Sequence, residues 1–410
     1  MKSLQDVELE LPRVAVLAGP NAAGKSNVLD AVQLLARVGT QRTLAEALTT
    51  PIRGFPAEAF TLPEGGLPAL LGQESARLSL EADLELNSPG ARSSAAPDRA
   101  RYRIAVDIDP DAGALSVADE YLTRMTKAWQ PKDTARIERS GEELHVRRSG
   151  SGGRPPHEPT GLNHALLSDA RLSGPAYPLF DGVREEFSVW RTYYLDPQTA
   201  MRAAVPPREV TDIGVNGEHL APFLYGLKTR RPEAFDAVRR ALTSIIPAVR
   251  QLDVDLDTKR GTLDIQIGQD GTVFSSRIVS EGTLRVLGLC AVAVTADSGL
   301  VAFEEPENGV QPQRLDRIAE LLASVARRGS AQLLITTHSP GFIAAMLERF
   351  DDMAEQIGLF SVARRQRSTA VERVDVPESL WRDQAFDDLL AEPDTTDKLA
   401  AIVRRGWLDL

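Results

Sequence analysis

Gly19-Pro20-Asn21-Ala22-Ala23-Gly24-Lys25-Ser26 fits the pattern G-x-x-x-x-G-K-[ST], a loop whose backbone N–H groups, lysine and hydroxyl cradle a nucleoside triphosphate and its Mg2+. Before it runs Val14-Ala-Val-Leu-Ala18, an apolar run of buried-strand type. After it, Asn27-Val-Leu-Asp-Ala-Val-Gln-Leu-Leu-Ala36 repeats apolar residues at helical spacing. Strand, glycine loop and helix are the context the loop requires. Gly19 and Gly24 permit turns that a Cβ would obstruct, and the N–H groups of the helix start, with the positive end of its dipole, face the phosphates. Lys25 is expected to reach the β- and γ-phosphates and Ser26 Oγ to ligate Mg2+. The rest of the loop and Asn27 complete the nucleotide-binding set.

Working outward, the chain of 410 residues has room for two or three domains, and 42% hydrophobic content suffices for a large core. No apolar run reaches membrane-spanning length and the N-terminus lacks the apolar region of a signal peptide, so a cytoplasmic protein without a membrane partner is expected. A formal net charge of -11 argues against a protein that coats DNA, although local basic faces remain candidates. Arg230, Arg231, Arg239 and Arg240 in one helical region, and Arg364, Arg365 and Arg367 in another, are such faces; the competing reading is a solvated helix surface. Cys290 is the single cysteine, which excludes an intrachain disulfide and reads as a buried thiol. His145, His157, His164, His219 and His338 show no metal-ligand spacing, and zinc is not expected.

Between Thr40 and Leu71, Pro51, Pro56, Pro63 and Pro68 break any long element. The period then changes. Ala76–Leu86 and Arg101–Ile108 alternate apolar and polar residues as half-buried strands do, with a loop over Ser88–Pro97 between them. A further strand pair is expected at Ala114–Ala118 and Ala135–Val146, followed by a mobile Gly-rich stretch over Arg148–Pro156. Helix is expected between His164 and Trp190, then a short strand over Thr192–Pro197. Gln198, just past its end, is placed to sense a γ-phosphate or to be an exposed polar turn. Residues 217–247 read as two helices broken near Arg231-Pro232, and Leu252–Asp257 and Thr262–Ile267 as strands joined by a turn at Lys259-Arg-Gly261. No internal repeat or heptad run is present.

The second informative region is Val279-Ser-Glu-Gly-Thr283, which opens the apolar helix Leu284–Ala296. Ser280 and Gly282 at a helix start make another anion-binding N-terminus; taken alone, Ser280 is equally an ordinary N-cap. Then comes the buried strand Gly299–Phe303 with Glu304-Glu305-Pro-Glu307-Asn-Gly309 at its end. Two carboxylates there suit two tasks. Glu304 can hold Mg2+ through water, and Glu305 can orient or deprotonate the attacking water. A helix over Arg314–Arg327 leads to the strand Gln332–Thr336 and to Thr337-His338-Ser339-Pro340. A histidine leaving a strand end can bond a γ-phosphate oxygen or the attacking water.

In order, GPNAAGKS, VSEGT, LVAFEEPENG and ITTHSP resemble the ATP-binding-cassette (ABC) heads of RecF-, SMC- and OLD-type ATPases, and most closely the stand-alone predicted AAA-type ATPases built as ABC heads. The resemblance spans nearly the whole chain and is strongest over 14–36 and 278–344. It implies an α/β P-loop NTPase head with a mixed or antiparallel β insert and a helical signature subdomain. The implied head is discontinuous, 1–75 and 186–410, around an insert at 76–185. It also implies that two subunits sandwich ATP, with Ser280, Glu281, Gly282 and Thr283 facing the γ-phosphate bound to the partner's Lys25. Glu304 is then the Mg2+-side carboxylate, Glu305 the catalytic one, Asn308 and Gly309 the start of the D-loop, and His338 the switch residue.

Three departures stand out. The signature reads Ser-Glu-Gly-Thr rather than Ser-Gly-Gly-Gln, and Glu304 stands where aspartate is commoner. Members also begin with a strand before a Phe-Lys/Arg-Ser-Leu stretch, whereas here Met1 directly precedes Lys2-Ser3-Leu4, so either that edge strand is absent or the start lies elsewhere.

The expected function is a Mg2+-dependent ATPase, with ATP and Mg2+ as cofactors, that forms an ATP-dependent homodimer and switches a partner in DNA repair or phage defence. A second reading is a nucleotide-gated scaffold for a separate nuclease or toxin effector, and a third is direct DNA binding across the dimer.

Overall fold

The computed structural model describes residues 1–49, 52–86, 98–150, 156–329, 331–349 and 356–374. In chain order its elements begin with β1 (Val14–Ala18), α1 (Lys25–Thr40), α2 (Leu44–Leu48) and α3 (Gly66–Leu71). The strands β2 (Ala76–Leu86), β3 (Asp98–Asp109), β4 (Ala114–Met125), β5 (Ile137–Ser140), β6 (Glu143–Val146) and β7 (His157–Pro159) follow. Next come α4 (Pro178–Ser188), β8 (Arg191–Tyr193), α5 (Leu220–Arg230), α6 (Pro232–Ile245), β9 (Val249–Asp257), β10 (Thr262–Gln269), β11 (Thr272–Ser275) and α7 (Glu281–Thr295). The rest are β12 (Leu300–Glu304), α8 (Leu315–Arg328), β13 (Gln332–Thr337), α9 (Pro340–Glu348), β14 (Ile357–Arg365) and β15 (Ser368–Val374).

Two compact units form. One takes Met1–Asp6 and Asn27–Trp190; the other takes Val7–Ser26 and the chain from Arg191 onward. The first is larger than an insert at 76–185, because it also takes in α1 from Asn27 together with α2 and α3. The reason is a shared core: Leu34, Leu35 and Val38 of α1 and Leu44 and Leu48 of α2 bury with Tyr102 and Ile104 of β3 and Phe187 of α4.

In this first unit the strands pair antiparallel in the order β2-β3-β4-β5-β6-β7. The alternation read over 76–86 and 101–108 holds, but the single strand expected over 135–146 is a hairpin. Gly141, at φ +66, makes its turn, a conformation that favours glycine. The loop expected over 88–97, and most of the one over 148–156, lie outside the described residues. The Lys2-Ser3-Leu4 stretch anchors onto the start of α1. Lys2 Nζ lies 2.5 Å from the fully buried Asp30 carboxylate, Arg53 lies 3.1 Å from the same oxygen, and Asn27 Nδ2 donates to Ser3 Oγ at 2.7 Å.

Glu120 on β4 is fully buried. Its carboxyl accepts hydrogen bonds from Tyr102 Oη at 3.0 Å and from the backbone N–H groups of Leu166 at 2.7 Å and Leu167 at 2.9 Å. Burial pushes its pKa up to about 7 against the pull of those donors. The unfolded chain releases this proton near the ordinary carboxylate value, so between roughly pH 4 and 7 the folded state holds a proton that the unfolded state has lost. Its contribution to stability is therefore complete below that window and is lost as pH rises through about 7. Thermal denaturation should show wild-type protein losing on the order of 3 kcal/mol from this group between pH 4 and 8. Glu120→Gln should flatten that difference; an unchanged pH profile in the variant would refute the assignment.

In the second unit the main sheet runs β15-β14-β1-β13-β12-β8, parallel except for the antiparallel β14–β15 pair. All five residues of β1 are buried, as suits a central parallel strand covered on both faces. A three-stranded antiparallel sheet, β11-β10-β9, completes the strands of this unit among the described residues. Helix α7 is apolar on every face, with Leu284 and Val286 through Ala293 buried, including Cys290, whose thiol burial makes harder to ionise. Helix α8 is amphipathic and buries Leu315, Ile318, Ala319, Leu322, Val325 and Ala326.

The strand over 192–197 stops early, β8 ending at Tyr193, and of the helix expected over 164–190 only α4 and a short 3-10 turn at Leu166–Ser168 form. Arg364 and Arg365 are not helical: they end β14, and Gln366 at φ +55 turns the chain into β15. Alternating side chains over 357–365 pair across the hairpin, Val362 opposite Val371.

Candidate functional site

The glycine loop leaves the C-terminal end of β1, where Gly19 N–H donates to Thr337 O at 3.4 Å. A Cβ at Gly19 would lie 2.1 Å from Val362 O, so only glycine lets the loop pass the backbone of β14. Gly24 at φ +106 and Ala22 at φ +64 turn the loop through left-handed backbone conformations. Ala23 O accepts from the buried Thr369 hydroxyl at 2.9 Å, tying the loop to β15. Lys25 Nζ folds back on its own loop, donating to Gly19 O at 2.7 Å and Pro20 O at 3.0 Å. Burial holds its pKa below the usual lysine range, while Glu305, Glu304 and Glu307 pull it back up.

Glu304 is the last residue of β12, and Glu305 and Glu307 follow it; β12 lies beside β13, the strand next to β1. Glu305 adopts φ +44, a left-handed conformation that costs a non-glycine residue on the order of 1 kcal/mol. Its N–H donates to Thr336 O at 3.0 Å, and its Oε1 lies 2.7 Å from His338 Nδ1. The strained backbone thus delivers the carboxylate to the histidine at the end of the neighbouring strand. His338 is kept at that end by the helix after it: Ser339 caps α9 by accepting from Phe342 N–H at 3.3 Å, with Pro340 at the first helical position.

The signature segment lies in the same unit. Ser280 caps α7, accepting from Thr283 N–H at 3.3 Å and sharing a 2.8 Å hydroxyl contact with Thr283. A Cβ on Gly282 would meet Gly309 O at 2.3 Å, so the signature glycine is required for α7 to touch the turn after Glu307. Gln198 is fixed by Asp196, whose carboxylate accepts from its N–H at 3.0 Å, and its side chain donates to Glu281 at 3.0 Å. Gln198 therefore braces the signature.

Several contributors were missed from sequence. Arg202 donates to Pro197 O at 2.7 Å, Arg277 O at 2.9 Å and Val279 O at 2.8 Å, clamping the approach to Ser280. Glu307 is buried, with one oxygen bonded to the Thr337 hydroxyl and the other without a partner; burial raises its pKa. Arg285, one turn into α7, faces Glu307, Glu281, Glu305 and Asp196, with burial lowering its pKa against their pull. Glu307 carried a signal in the Glu-Glu-Pro-Glu run; the arginines carried none, since their partners are remote in sequence. The basic faces are partly neutralised, as Arg230 pairs with Glu209, Arg239 with Asp236 and Arg365 with Glu372.

Nucleotide and cation fit these residues. The positive-φ cradle at Ala22 and Gly24 with a retracted, buried lysine suits a phosphate chain, and the Ser26 hydroxyl and Glu304 carboxylate are the hard oxygen donors Mg2+ takes.

A parallel sheet with the phosphate loop on its central strand, carboxylates and a histidine at the ends of the next two strands, and a second capped helix start define a P-loop NTPase of the ABC-head type. The chain belongs to the family described as AAA domain, putative AbiEii toxin, Type IV TA system, whose model matches residues 14–344. No curated protein matches the sequence. Among solved structures, an SMC head bound to the C-winged helix domain of ScpA is similar at 14% identity, with 92% of this chain and 96% of that one covered and a TM-score of 0.49. The SMC head domain from Thermotoga maritima aligns at 13% identity over 92% and 96% of the two chains, TM-score 0.39. An SMC head from Pyrococcus furiosus, with an extended coiled coil and bound to the C-terminal domain of ScpA, aligns at 10% identity over 94% and 95%, TM-score 0.42. Among the described residues, no helix is long and apolar enough to cross a membrane.

Proposed function

We propose that this chain is a Mg2+-dependent ATPase whose two copies close on ATP, each supplying Ser280–Thr283 to the nucleotide held by the other's Lys25, and that the cycle switches a partner. The observation that carries this reading is the Glu305–His338 contact of 2.7 Å at adjacent strand ends, in the electrostatic neighbourhood of Lys25. Lys25 turns from its loop carbonyls to the β- and γ-phosphates. Glu305 accepts the proton of the attacking water, and His338 holds that carboxylate in place. Ser26 and Glu304 would hold Mg2+, which would supply neutralisation of phosphate charge. Gln198 and Arg202 hold the signature helix start in the geometry that receives the partner's γ-phosphate. The description of the family as a putative toxin of a type IV toxin–antitoxin system favours a partner in phage defence over one in DNA repair.

Phosphate release from Mg-ATP by the purified full chain, read alongside its mass by light scattering with and without ATP, tests the reading. Slow turnover and a nucleotide-dependent doubling of mass are expected. Nucleotide binding without either response would overturn the composite-site ATPase, and no nucleotide binding at all would overturn the whole assignment.

A further inference from the structure

The histidines, without ligand spacing along the chain, are brought together in space in the first unit. Strands β6 and β7 pair antiparallel with His145 directly opposite His157. Glu143, two residues before His145, points to the same face, because strand side chains alternate with period 2. The two imidazoles meet edge to face with centroids 4.2 Å apart. Glu143 Oε2 lies 2.9 Å from His157 Nδ1 and 3.9 Å from His145 Nε2. One ligand atom from each residue can be chosen so that all lie within 4.8 Å of one another. A tetrahedral Zn2+ with bonds of about 2.0–2.1 Å holds its ligands roughly 3.3 Å apart, a spacing inside the observed range.

His157 Nε2 is shielded from water and has no hydrogen-bond partner. The nitrogen offered to a cation shared with Glu143 is Nδ1, 2.9 Å from Glu143 Oε2, and the neutral ring then carries its proton on Nε2. We propose that Glu143, His145 and His157 bind Zn2+, fastening the three-residue strand β7 to the edge of the antiparallel sheet. Two imidazoles and one carboxylate select a borderline-soft cation over the Mg2+ of the nucleotide site. The site is independent of the ATPase chemistry: none of its residues is among those assigned to nucleotide.

Tag-free full chain, dialysed against Zn2+ without nucleotide and analysed for metal, should retain about one equivalent per chain and show a raised unfolding temperature. Glu143→Gln should weaken Zn2+ binding by about 10-fold or more. The double variant His145→Ala/His157→Ala should retain none, while Mg-ATP turnover stays at the wild-type rate. Substitution with Co2+ gives a separate readout, the visible bands of a tetrahedral ion, which the double variant should lack. Retention of well under half an equivalent by wild type, or equal retention by the folded double variant, would overturn the proposal.

Discussion

Glu305→Gln should leave ATP binding at the wild-type level while lowering phosphate release about 10²- to 10⁴-fold, the span typical of removing a general base. Glutamine keeps the shape, and its amide can still meet His338 Nδ1, but it cannot take a proton from water. The substituted chain should also accumulate as an ATP-bound dimer, since closure precedes the blocked step. Titration with a fluorescent ATP analogue, single-turnover phosphate release and light scattering together check this. A variant that remains monomeric with ATP and hydrolyses at the wild-type rate would show that the strained carboxylate does something other than catalysis. The backbone at φ +44 makes such a merely structural role costly, because a glycine would fill it without strain.

The second large effect is expected at Lys25. Its side chain is buried and feels the charges of Glu305, Glu304 and Glu307, so removing it takes from the phosphate loop its own cation. Lys25→Ala should weaken ATP binding on the order of 100-fold or more, from the loss of charge-assisted bonds worth roughly 1.5–3 kcal/mol each. Phosphate release and dimer formation should both disappear. Calorimetry measures the loss. Wild-type affinity in this variant would mean that the nucleotide is held elsewhere. The two substitutions are separable: one weakens binding, and the other preserves binding and slows the step after it.

Much of the candidate site was legible because its signals are local. A strand of five apolar residues, a loop needing φ > 0, and a helix with apolar period near 3.6 occupy consecutive residues, so Val14 to Thr40 could be read without knowing any neighbour. The same holds for Ser280 capping α7 and for the carboxylates at the end of β12 and just beyond it. The Ser339-Pro340 cap and first-turn proline were a helix start left unread, although the signal was present. Arg364 and Arg365 show the opposite limit: a basic run at a strand end was read as a helix face because its pairing partners, Thr369 and Ser368, lie across a turn.

What the sequence by itself determined is the chemistry on offer: a phosphate loop, two acidic residues and a histidine at strand ends, and a second helix start able to face an anion. The tertiary structure alone decided which of these meet. Placing β13 between β1 and β12 is what brings Glu305 to His338, 33 residues apart, and it is folding that buries Glu307, aims Arg202 at Val279 and sets Gln198 against Glu281. It likewise drew α1 to α3 into one core with the antiparallel sheet and set His145 opposite His157. Strand pairing and burial join residues far apart along the chain, and no local period or cap records such a pairing.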